Sequence, residues 1–407
     1  LKRFVADRAM SEEREPIEPI PQTRSQYVAV IGAGPCGLTA AKDLVSLGYG
    51  VTVFESLPVA GGMLRVGVPE YRLPAAIVDR EVQDIIDLGV DLRLNTTVDD
   101  LDALFEQGYE AVLIAVGAHE GKKLPIPGAD LPEVLVNTRF LRDVRLAELG
   151  PEHDVGDLHQ RIEGQRVLVL GGGNVAIDCA RTAVRLGAAS VAMACLETRE
   201  TMPAHRWEVE EAEEEGVRLH PARSFTRIRD EGGHVTGVEC VDVVSMAFDA
   251  DGALQLETKP GSEQVIECDT VIFSIGQSAG LAFIPDESEV GVTRQRTVAI
   301  DPATHAASRE GVFAAGDAAT GTSFVIEAVA AGHQVSGTIH QYLSGRPLEP
   351  RFAPDLPVVK MTEERVQERV RQGEIKPAAR VAMPMVQGDE RRTGFAEVER
   401  GYSESEA

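Results

Sequence analysis

The stretch that decides the fold spans residues 27–55 and reads YVAVIGAGPCGLTAAKDLVSLGYGVTVFE. A short β-branched run enters a glycine turn, a helical segment follows, and a second β-branched run ends at Glu55. This order of strand, turn, helix and strand is typical of parallel α/β structure. The sequence therefore predicts a parallel sheet with a glycine turn at the carboxyl edge of its first strand.

The turn has the spacing Gly32-x-Gly34-x-x-Gly37. Its glycines permit, in order, a tight turn, close approach of the backbone to a pyrophosphate, and packing of the helix on the strand. The free N–H groups of the helix N-terminus attract phosphates. Glu55 lies where a carboxylate accepts hydrogen bonds from ribose hydroxyls. We therefore expect a dinucleotide at this turn rather than a purely structural loop.

The pattern restarts at residue 166 with RVLVLGGGNVAIDCARTAVRLGA. Its turn is Gly171-x-Gly173-x-x-Ala176, and alanine is an accepted variant of the third glycine. The next strand ends at Glu197, where a carboxylate favours a ribose 2′-hydroxyl and repels a 2′-phosphate. This predicts NAD(H) rather than NADP(H). The alternative is that Glu197 is a solvated loop residue.

A third motif, GVFAAGDAA, begins at residue 311 and contains Gly316 and Asp317. An aspartate at the carboxyl end of a strand can bind a ribityl hydroxyl or a water that bridges phosphates. A helix that starts near Ser323 would direct its positive end towards an anionic ligand. A Gly-Asp pair by itself usually marks a turn. Its interpretation as part of a binding site therefore depends on the two dinucleotide-binding motifs that precede it in the sequence.

The charge and the cysteine content indicate which binding partners and which cellular location to expect. The net charge of −25 disfavours nucleic acid and anionic membrane surfaces, and it serves either solubility or the steering of a basic redox partner. The five cysteines show no CxxC and no metal-ligand spacing, which predicts a reducing, cytoplasmic location and no metal site. No signal peptide and no apolar run of about 18 residues is present.

Together, five segments resemble the flavin-dependent pyridine nucleotide oxidoreductases, most closely the glutamate synthase small (beta) subunit family. They are VAVIGAGPCGLTAAKDL, AGGMLRVGVPEYRLP, GGGNVAIDCARTAVRLGA, TRETMPAH and GVFAAGDAATGTSFVIEAVAAG. The second is the most diagnostic, because ordinary disulfide reductases lack it. The family usually carries an N-terminal cysteine-rich domain that holds iron–sulfur clusters. This sequence begins after that point, so the clusters would lie on residues outside it or on a separate subunit.

The resemblance implies an α/β fold with two Rossmann-like dinucleotide-binding domains, arranged as in glutathione reductase, with the NAD domain inserted into a discontinuous FAD domain. The expected boundaries are an N-terminal helix and linker (1–26), the first part of the FAD-binding domain (27–140), the NAD(H)-binding domain (141–280), the second part of the FAD-binding domain (281–345), and a C-terminal tail that could dock to another subunit (346–407).

The resemblance also assigns site residues by position. FAD would contact Gly32, Ala33, Gly34, Pro35, Cys36, Gly37, Glu55, Ser56, Gly61, Gly62, Met63, Leu64, Val98, Ala115, Val116, Gly117, Gly316, Asp317, Ser323, Phe324 and Val325. NAD(H) would contact Gly171, Gly173, Asn174, Val175, Ala176, Glu197 and Gly276.

Within these sets, Asp317 would hold the ribityl chain, and the Val325 N–H would lie near the C2 carbonyl of the flavin, where a helix N-terminus stabilises reduced flavin. NADPH-using members of the family carry an arginine pair where this chain has Leu196 and Glu197. This departure strengthens the expectation of NAD(H).

The expected function is that of an FAD-containing, NAD(H)-dependent oxidoreductase subunit. It would move hydride between NAD(H) and FAD and exchange electrons with an iron–sulfur partner subunit of a larger redox complex. Hydride transfer depends on positioning, so no catalytic side chain is assigned, and we interpret His119, His205 and Glu327 as structural or surface groups. The alternatives are a stand-alone flavin NADH oxidase or monooxygenase, and a non-catalytic flavoprotein scaffold.

Overall fold

The computed structural model describes residues 2–12, 16–150, 153, 158–249, 254–285, 288–350 and 360–407. The elements up to residue 121 are α1 (Lys2–Ser11), β1 (Tyr27–Ile31), α2 (Pro35–Ser46), β2 (Gly50–Phe54), α3 (Met63–Val66), α4 (Ala75–Asp87), β3 (Asp91–Arg93), α5 (Leu101–Glu106), β4 (Ala111–Ile114) and β5 (Glu120–Gly121).

The middle of the chain carries a second alternation of strands and helices and then an antiparallel section. Its elements are β6 (Val134–Val136), α6 (Asn137–Ala147), α7 (Leu158–Ile162), β7 (Arg166–Leu170), α8 (Asn174–Arg185), β8 (Ser190–Ala194), α9 (Arg206–Glu214), β9 (Arg218–His220), β10 (Arg223–Glu231), β11 (His234–Phe248), β12 (Leu254–Thr258), β13 (Gln264–Glu267), β14 (Thr270–Phe273) and β15 (Gln277–Ser278).

The last part of the chain begins with a strand and continues with helices. Its elements are β16 (Val312–Ala314), α10 (Asp317–Thr320), α11 (Val325–Leu343), α12 (Glu363–Arg371) and α13 (Glu390–Thr393).

The first lobe is built on a five-stranded sheet in the order β16-β4-β1-β2-β3, with every pair parallel. The strands β1, β2, β4 and β16 are almost continuously apolar and buried, as parallel strands with both faces covered must be, whereas the edge strand β3 is short and largely exposed. Side chains of α2 and α11 join those of the sheet in one core cluster. A second cluster, which includes Leu101, Ile284 and Val298, packs on the strand residues that point the other way.

The second lobe has its own five-stranded parallel sheet, in the order β6-β14-β7-β8-β9. Residues of α6, α8 and α9 form a core cluster with its inward-facing strand residues. An antiparallel sheet of β10, β11 and β12, with β13 beside β11, supplies Phe225, Ile228 and Val238 to a cluster on the opposite side. Two separate α/β units, each built on a five-stranded parallel sheet, are therefore present, which confirms the predicted fold class.

The chain crosses between the lobes twice. The outward segment contains β5 and the return segment contains β15, and the two pair antiparallel, with Gly121 opposite Gln277. After the return, β16 completes the first sheet beside β4. The second lobe is therefore an insertion in a discontinuous first lobe.

The lobe boundary is one point where the structure suggests a revision. The strand β6 pairs with β14 in the second sheet, although residues 134–136 fall inside the expected range 27–140 of the first domain. We propose that the second lobe begins at or before β6 rather than at residue 141.

The part of the C-terminal tail after residue 383 folds back on its own chain. The backbone N–H of Val398 donates to the carbonyl of Tyr71 at 2.9 Å, and Val386 donates to Val398 at 2.9 Å. Both valines are buried. Arg3 of α1 forms an ion pair of 2.6 Å with Glu397. No helix within the described residues has both the length and the apolar composition that a membrane crossing requires.

Candidate functional site

The first glycine turn contains two glycines that the fold needs and one that leaves open space. A Cβ on Gly32, whose φ is +108°, would lie 2.5 Å from the carbonyl oxygen of Ala115. A Cβ on Gly37 would lie 2.1 Å from the carbonyl oxygen of Gly32. A Cβ on Gly34, by contrast, would meet nothing closer than Gly62 Cα at 3.9 Å. Gly34 is the N-cap residue of α2, so a ligand can approach the backbone at the N-terminus of this helix.

Glu55 holds this turn in place. Its Oε2 accepts a hydrogen bond of 2.9 Å from the backbone N–H of Ala33, and its Oε1 accepts one of 2.9 Å from Leu57. The residue is 7% exposed. The carboxylate therefore has a structural role as well as the predicted position at the end of β2.

A second glycine loop, residues 61–64, interlocks with the first. The Gly61 N–H donates to the carbonyl of Ala33 at 2.8 Å. Gly62 has φ +54°, and a Cβ on it would lie 2.7 Å from Gly34 Cα. The short helix α3 starts immediately after it, at Met63. The segment AGGMLRV therefore packs directly against the turn, and its residues Gly62, Met63 and Leu64 line the same cavity as Gly34.

The third motif closes the cleft. Gly316 packs so tightly that a Cβ on it would lie 3.0 Å from Cys36 Cβ. Burial raises the pKa of the Asp317 carboxyl above its ordinary value; hydrogen bonds from Ser323 oppose this shift, and the charge of Glu327 adds to it. The helix α11 begins at Val325, and Glu327 Oε2 accepts a hydrogen bond of 3.1 Å from the Phe324 N–H.

Two adjoining cavities fill the cleft, and they share Gly32, Glu55, Val116 and His119. The first, of about 140 Å³, is lined by Gly32, Gly34, Pro35, Cys36, Glu55, Gly62, Met63, Leu64, Val68, Ala115, Val116, Gly117, His119, Ala315, Asp317, Ser323, Phe324, Val325 and Ala328. The second, of about 350 Å³, is lined by Ile31, Gly32, Phe54, Glu55, Ser56, Leu57, Thr96, Thr97, Val98, Asp99, Val116, His119, Glu120, Arg142, Gly280, Ala282 and Phe283.

Most residues predicted to contact FAD line these cavities, and the remainder, Ala33, Gly37, Gly61 and Gly316, support the lining from behind through the contacts described above. The elongated pair of cavities, the open backbone at Gly34 and the half-buried Asp317 suit a dinucleotide with a ribityl chain. The role of each residue in binding it stays a prediction.

Two groups in this cleft have no binding role in the sequence-based prediction, which interprets His119 as a structural or surface group and does not name Arg142. His119 lines both cavities, and burial, helped by the charge of Arg142, lowers its pKa to about 4, so the imidazole is neutral at neutral pH. Arg142 comes from α6 of the second lobe. No motif marks an arginine in the middle of a helix, so only the packing of the lobes reveals it.

The second glycine turn repeats the geometry of the first. A Cβ on Gly171, with φ +145°, would lie 2.1 Å from the carbonyl oxygen of Ser274, whereas a Cβ on Gly173 would meet nothing within 4 Å. Asn174 Oδ1 accepts a hydrogen bond of 2.9 Å from the His205 N–H, which fixes the turn against the start of α9. Ala176 is fully buried and Val175 is partly buried.

Glu197 lies beside this turn, since its Oε2 is 3.0 Å from a Cβ placed on Gly172. Its carbonyl accepts a hydrogen bond of 2.7 Å from the N–H of Ala222, which brings the start of β10 next to it. A carboxylate therefore lies beside the turn, and its contact with a ribose stays a prediction.

Two basic residues close to Glu197 have acidic partners of their own. Arg199, two positions further on, pairs with Glu213, and Arg223, which follows Ala222, pairs with Asp242 at 3.0 Å. Gly276, the remaining predicted residue, lies in the crossover, where its carbonyl accepts a hydrogen bond of 3.0 Å from the Lys122 N–H. Arg199 and Arg223 therefore both have acidic partners, and neither is an unpaired cation beside the turn.

The five cysteines are buried and unpaired. Burial raises the pKa of Cys36, Cys195 and Cys268 to about 12 and raises that of Cys179 and Cys240 as well, so none supplies a thiolate at neutral pH. Within the described residues, no group of three or more His, Cys, Asp and Glu side chains could hold a metal ion.

Comparison with known proteins shows that residues 26–332 match the family of the pyridine nucleotide-disulphide oxidoreductases. The NADP(+)-dependent formate dehydrogenase subunit beta of Moorella thermoacetica is 38% identical over 99% of this chain and 59% of its own length. The glutamate synthase [NADPH] small chain of Azospirillum brasilense is 35% identical over 78% of this chain and 67% of its own length.

Among solved structures, Mycobacterium tuberculosis FprA in complex with NADPH has a TM-score of 0.66 and 18% identity, over 79% of this chain and 85% of that one. At this identity the likeness concerns the fold alone. This chain spans less than two thirds of the formate dehydrogenase subunit, so the activity of that whole protein is not carried over with the match.

Proposed function

Because the chain belongs to the pyridine nucleotide-disulphide oxidoreductase family, and is thereby a flavin-dependent NAD(P)H oxidoreductase, we propose that it is an NADH-preferring electron-transfer subunit that exchanges electrons with an iron–sulfur partner. The observation that carries this proposal is the pair of cavities in the first lobe, together with a second open glycine turn in the neighbouring lobe. Bound FAD would take a hydride from the reduced nucleotide and release the electrons one at a time.

The residues of the chain bind and orient the cofactors. The turn at Gly34 and the start of α2 would face the pyrophosphate, while Asp317 and the N-terminus of α11 would face the ribityl chain and the ring. His119 contributes no charge, because its pKa is lowered to about 4. No acid or base is required of the protein for a transfer that depends on positioning.

An iron–sulfur partner is proposed because the cysteines of this sequence do not offer a dithiol route. All five are buried and have raised pKa values, so electrons must leave the flavin by another path. The relatives include proteins named as subunits of a formate dehydrogenase and of a glutamate synthase. The net charge of −25 would steer a partner with a basic docking surface.

A preference for NADH is proposed on Glu197. A carboxylate beside the turn accepts hydrogen bonds from ribose hydroxyls and repels a 2′-phosphate. The nearby Arg199 and Arg223 are paired with Glu213 and Asp242, so they are not placed as free phosphate ligands. The names of the relatives specify NADP(+) or NADPH, so Glu197 would mark a change of nucleotide within the family.

The test is anaerobic reduction of the purified, FAD-loaded protein. We expect NADH to bleach the flavin at least about tenfold faster than NADPH, since a favourable ribose contact and an avoided repulsion are each worth about 1 kcal/mol. Glu197→Arg should shift the preference towards NADPH. Glu200→Arg, which makes the same charge change three positions further on at an exposed residue, should not. Equal rates with both nucleotides in the wild type would contradict the NADH preference.

The same reduced protein tests the partner. We expect it to pass electrons to a small [4Fe–4S] ferredoxin faster than to oxygen. Rapid consumption of NADH with release of peroxide, unaffected by the ferredoxin, would favour a stand-alone oxidase instead. Flavin that neither nucleotide reduces would contradict an enzymatic role altogether.

A further inference from the structure

An arginine of the first lobe reaches across to the second lobe. Arg72 follows the cavity residues Met63 and Leu64 in sequence and lies in the loop after α3. Its Nη1 donates to Asp178 Oδ1 and Oδ2 at 2.8 and 2.9 Å, and its Nη2 donates to Glu208 Oε1 at 2.5 Å. The side chains of Asp178 and Glu208 are 8% and 6% exposed. The contact is a forked ion pair between the lobes in which both carboxylates are buried, while the Arg72 side chain is 33% exposed.

The two carboxylates lie on the helices that carry the second nucleotide turn. Asp178 is in the first part of α8, which begins at Asn174. Glu208 is in the first turn of α9, three residues after the N-cap residue His205, whose N–H donates to Asn174 Oδ1. Arg72 therefore joins the loop beside the first cavity to the elements that would hold the nicotinamide nucleotide.

The electrostatics make the arginine necessary to this contact. Burial raises the pKa of Asp178, and the charge and hydrogen bonds of Arg72 oppose that shift. Burial also raises the pKa of Glu208; Arg72 lowers it and Asp178 raises it further. Without Arg72, two neighbouring buried carboxylates of the second lobe would lose the cation that they share. An uncharged side chain in its place would therefore remove this ionic contact between the lobes and leave its carboxylates without their partner.

The residue before Arg72 adds a second contact of the same kind. The ring of Tyr71 is fully buried, and the guanidinium carbons of Arg185 and Arg181 lie 3.8 and 4.9 Å from its centre. Both arginines belong to α8. The segment thus contacts α8 in two ways, through the ring of Tyr71 and through the ion pair of Arg72. Two such contacts restrict rotation of one lobe against the other.

We propose that Arg72 is a positioning residue that holds the second lobe in one orientation, so that the two cofactor sites face each other throughout turnover without a swing of the nucleotide lobe. This inference rests on the proposed function, because the consequence of a wrong orientation is slow transfer between FAD and the nucleotide. A displacement of about 1 Å at the reacting atoms costs about a hundredfold in rate.

The chain contains its own probe of this orientation. Its single tryptophan, Trp207, is in the first turn of α9, where it stacks on His205 at 4.3 Å between ring centres. Flavin accepts excitation energy from tryptophan, and the efficiency of that transfer depends on their separation. The ratio of the Trp207 fluorescence lifetimes with and without FAD therefore reports the distance between α9 and the first lobe, and the FAD-free reference removes local effects on Trp207.

The experiment compares Arg72→Met, Arg72→Lys and Asp178→Asn with the wild type. We expect Arg72→Met to reduce energy transfer and to slow flavin reduction by saturating NADH at least about tenfold, with NADH affinity changed much less. Arg72→Lys, which keeps the charge without the fork, should lie between. Arg229→Met, which removes an exposed ion pair with Glu239 inside the second lobe, is the matched control and should behave as the wild type.

Each result has a defined meaning. Unchanged energy transfer in Arg72→Met, or reduced transfer with an unchanged rate of reduction, would overturn the positioning role. Asp178→Asn keeps the test decisive if Arg72→Met does not fold, because it weakens the same contact while Arg72 keeps its second partner, Glu208. Wild-type flavin that NADH and NADPH both fail to reduce would defeat the proposed function, while the energy-transfer comparison would still decide whether Arg72 fixes the lobes.

Discussion

At the scale of single residues, the two glycine turns separate structural needs from functional ones. Gly32, Gly37 and Gly171 cannot carry a side chain, because a Cβ on each would lie within 2.5 Å of a backbone oxygen. Gly34 and Gly173 have ordinary extended backbone and free space around them. Protein atoms therefore do not explain why these two positions are glycine, whereas close approach of a ligand to the backbone does.

This contrast predicts that Gly34→Ala and Gly173→Ala fold normally and lose binding. We expect each variant to keep the thermal midpoint of the FAD-free wild-type protein. Gly34→Ala should lose FAD affinity by about ten- to a hundredfold, since an added methyl in a tight contact costs about 1–3 kcal/mol. Gly173→Ala should retain FAD and lose nucleotide affinity to a similar extent. Fluorescence titration of the flavin and of NADH measures both constants.

The outcome for Gly37→Ala checks the reasoning. A Cβ there would lie 2.1 Å from the Gly32 carbonyl oxygen, so we expect a lower thermal midpoint even without FAD. Normal cofactor affinity in Gly34→Ala would mean that the ligand does not pass over this residue.

At the residue scale, sequence reasoning points to some of the residues that line the cavities and not to others. Spacing and the resemblance predict Gly34 and Asp317, and both line the first cavity. They assign no role in binding to His119, which follows β4 and lines both cavities. They do not point to Arg142 either, because the position of its side chain depends on how α6 of the second lobe packs against the first. Spacing along one strand and helix cannot encode a contact between lobes.

At the scale of elements, the start of α11 can be tested directly, because the helix points its N-terminus at the cavity. Its N-cap residue, Phe324, has no side-chain oxygen, and the Glu327 carboxylate accepts the hydrogen bond from the Phe324 N–H at 3.1 Å instead. The same carboxylate contributes to the raised pKa of Asp317. Glu327 thus has two roles: it caps the N-terminus of α11, and its charge helps to raise the pKa of Asp317.

We expect Glu327→Ala to destabilise the FAD-free protein by about 1 kcal/mol, the usual cost of a lost cap. Glu327→Gln should retain most of that stability, because its amide oxygen can still accept the hydrogen bond. Both substitutions remove the negative charge, so the difference between them in urea unfolding isolates the cap. Equal stability of the two variants would show that the hydrogen bond does not stabilise the helix.

The predictability of elements follows their length. Strands such as β1 and β7, and helices such as α2 and α8, have clear apolar patterns that the sequence alone reveals. The crossover strands β5 and β15 have two residues each, and β6 has three. Such short strands carry no periodic signal in the sequence. Their pairing depends on the neighbouring strand that the tertiary fold brings beside them more than on the propensity of their own residues.

At the scale of the whole molecule, the part of the C-terminal tail that contains α13 completes a buried ionic network in the second lobe. Glu215, which is 1% exposed, accepts hydrogen bonds from Arg181 at 2.7 Å, from Arg185 at 2.6 Å and from Arg391 at 2.9 Å. Arg391 belongs to α13 in the tail. Docking of the tail to another subunit stays a prediction, whereas this part of it is bound to the second lobe of its own chain.

The pH dependence of this network has a defined sign. Burial acts to raise the pKa of Glu215, but the hydrogen bonds and charges of Arg185 and Arg181 outweigh it and hold the pKa below its ordinary value. A carboxyl with a lowered pKa in the folded state stabilises the protein above its unfolded pKa of about 4.3, and that contribution is lost as the pH falls through the folded value. Asp178 and Glu208 have raised pKa values and act in the opposite direction.

Comparison of Glu215→Gln with the wild type cancels the opposing groups and isolates Glu215. At pH 7 we expect the substitution to cost about 3–5 kcal/mol, because it leaves buried arginines without their shared anion. Below about pH 4 the gap should narrow, since the wild-type carboxyl becomes protonated and resembles the amide. Urea unfolding across this pH range measures the gap, with Glu267→Gln, which removes an exposed partner of Arg166, as the control that should cost less than about 1 kcal/mol. A gap that stays constant with pH would mean that ionised Glu215 does not hold the tail against the second lobe.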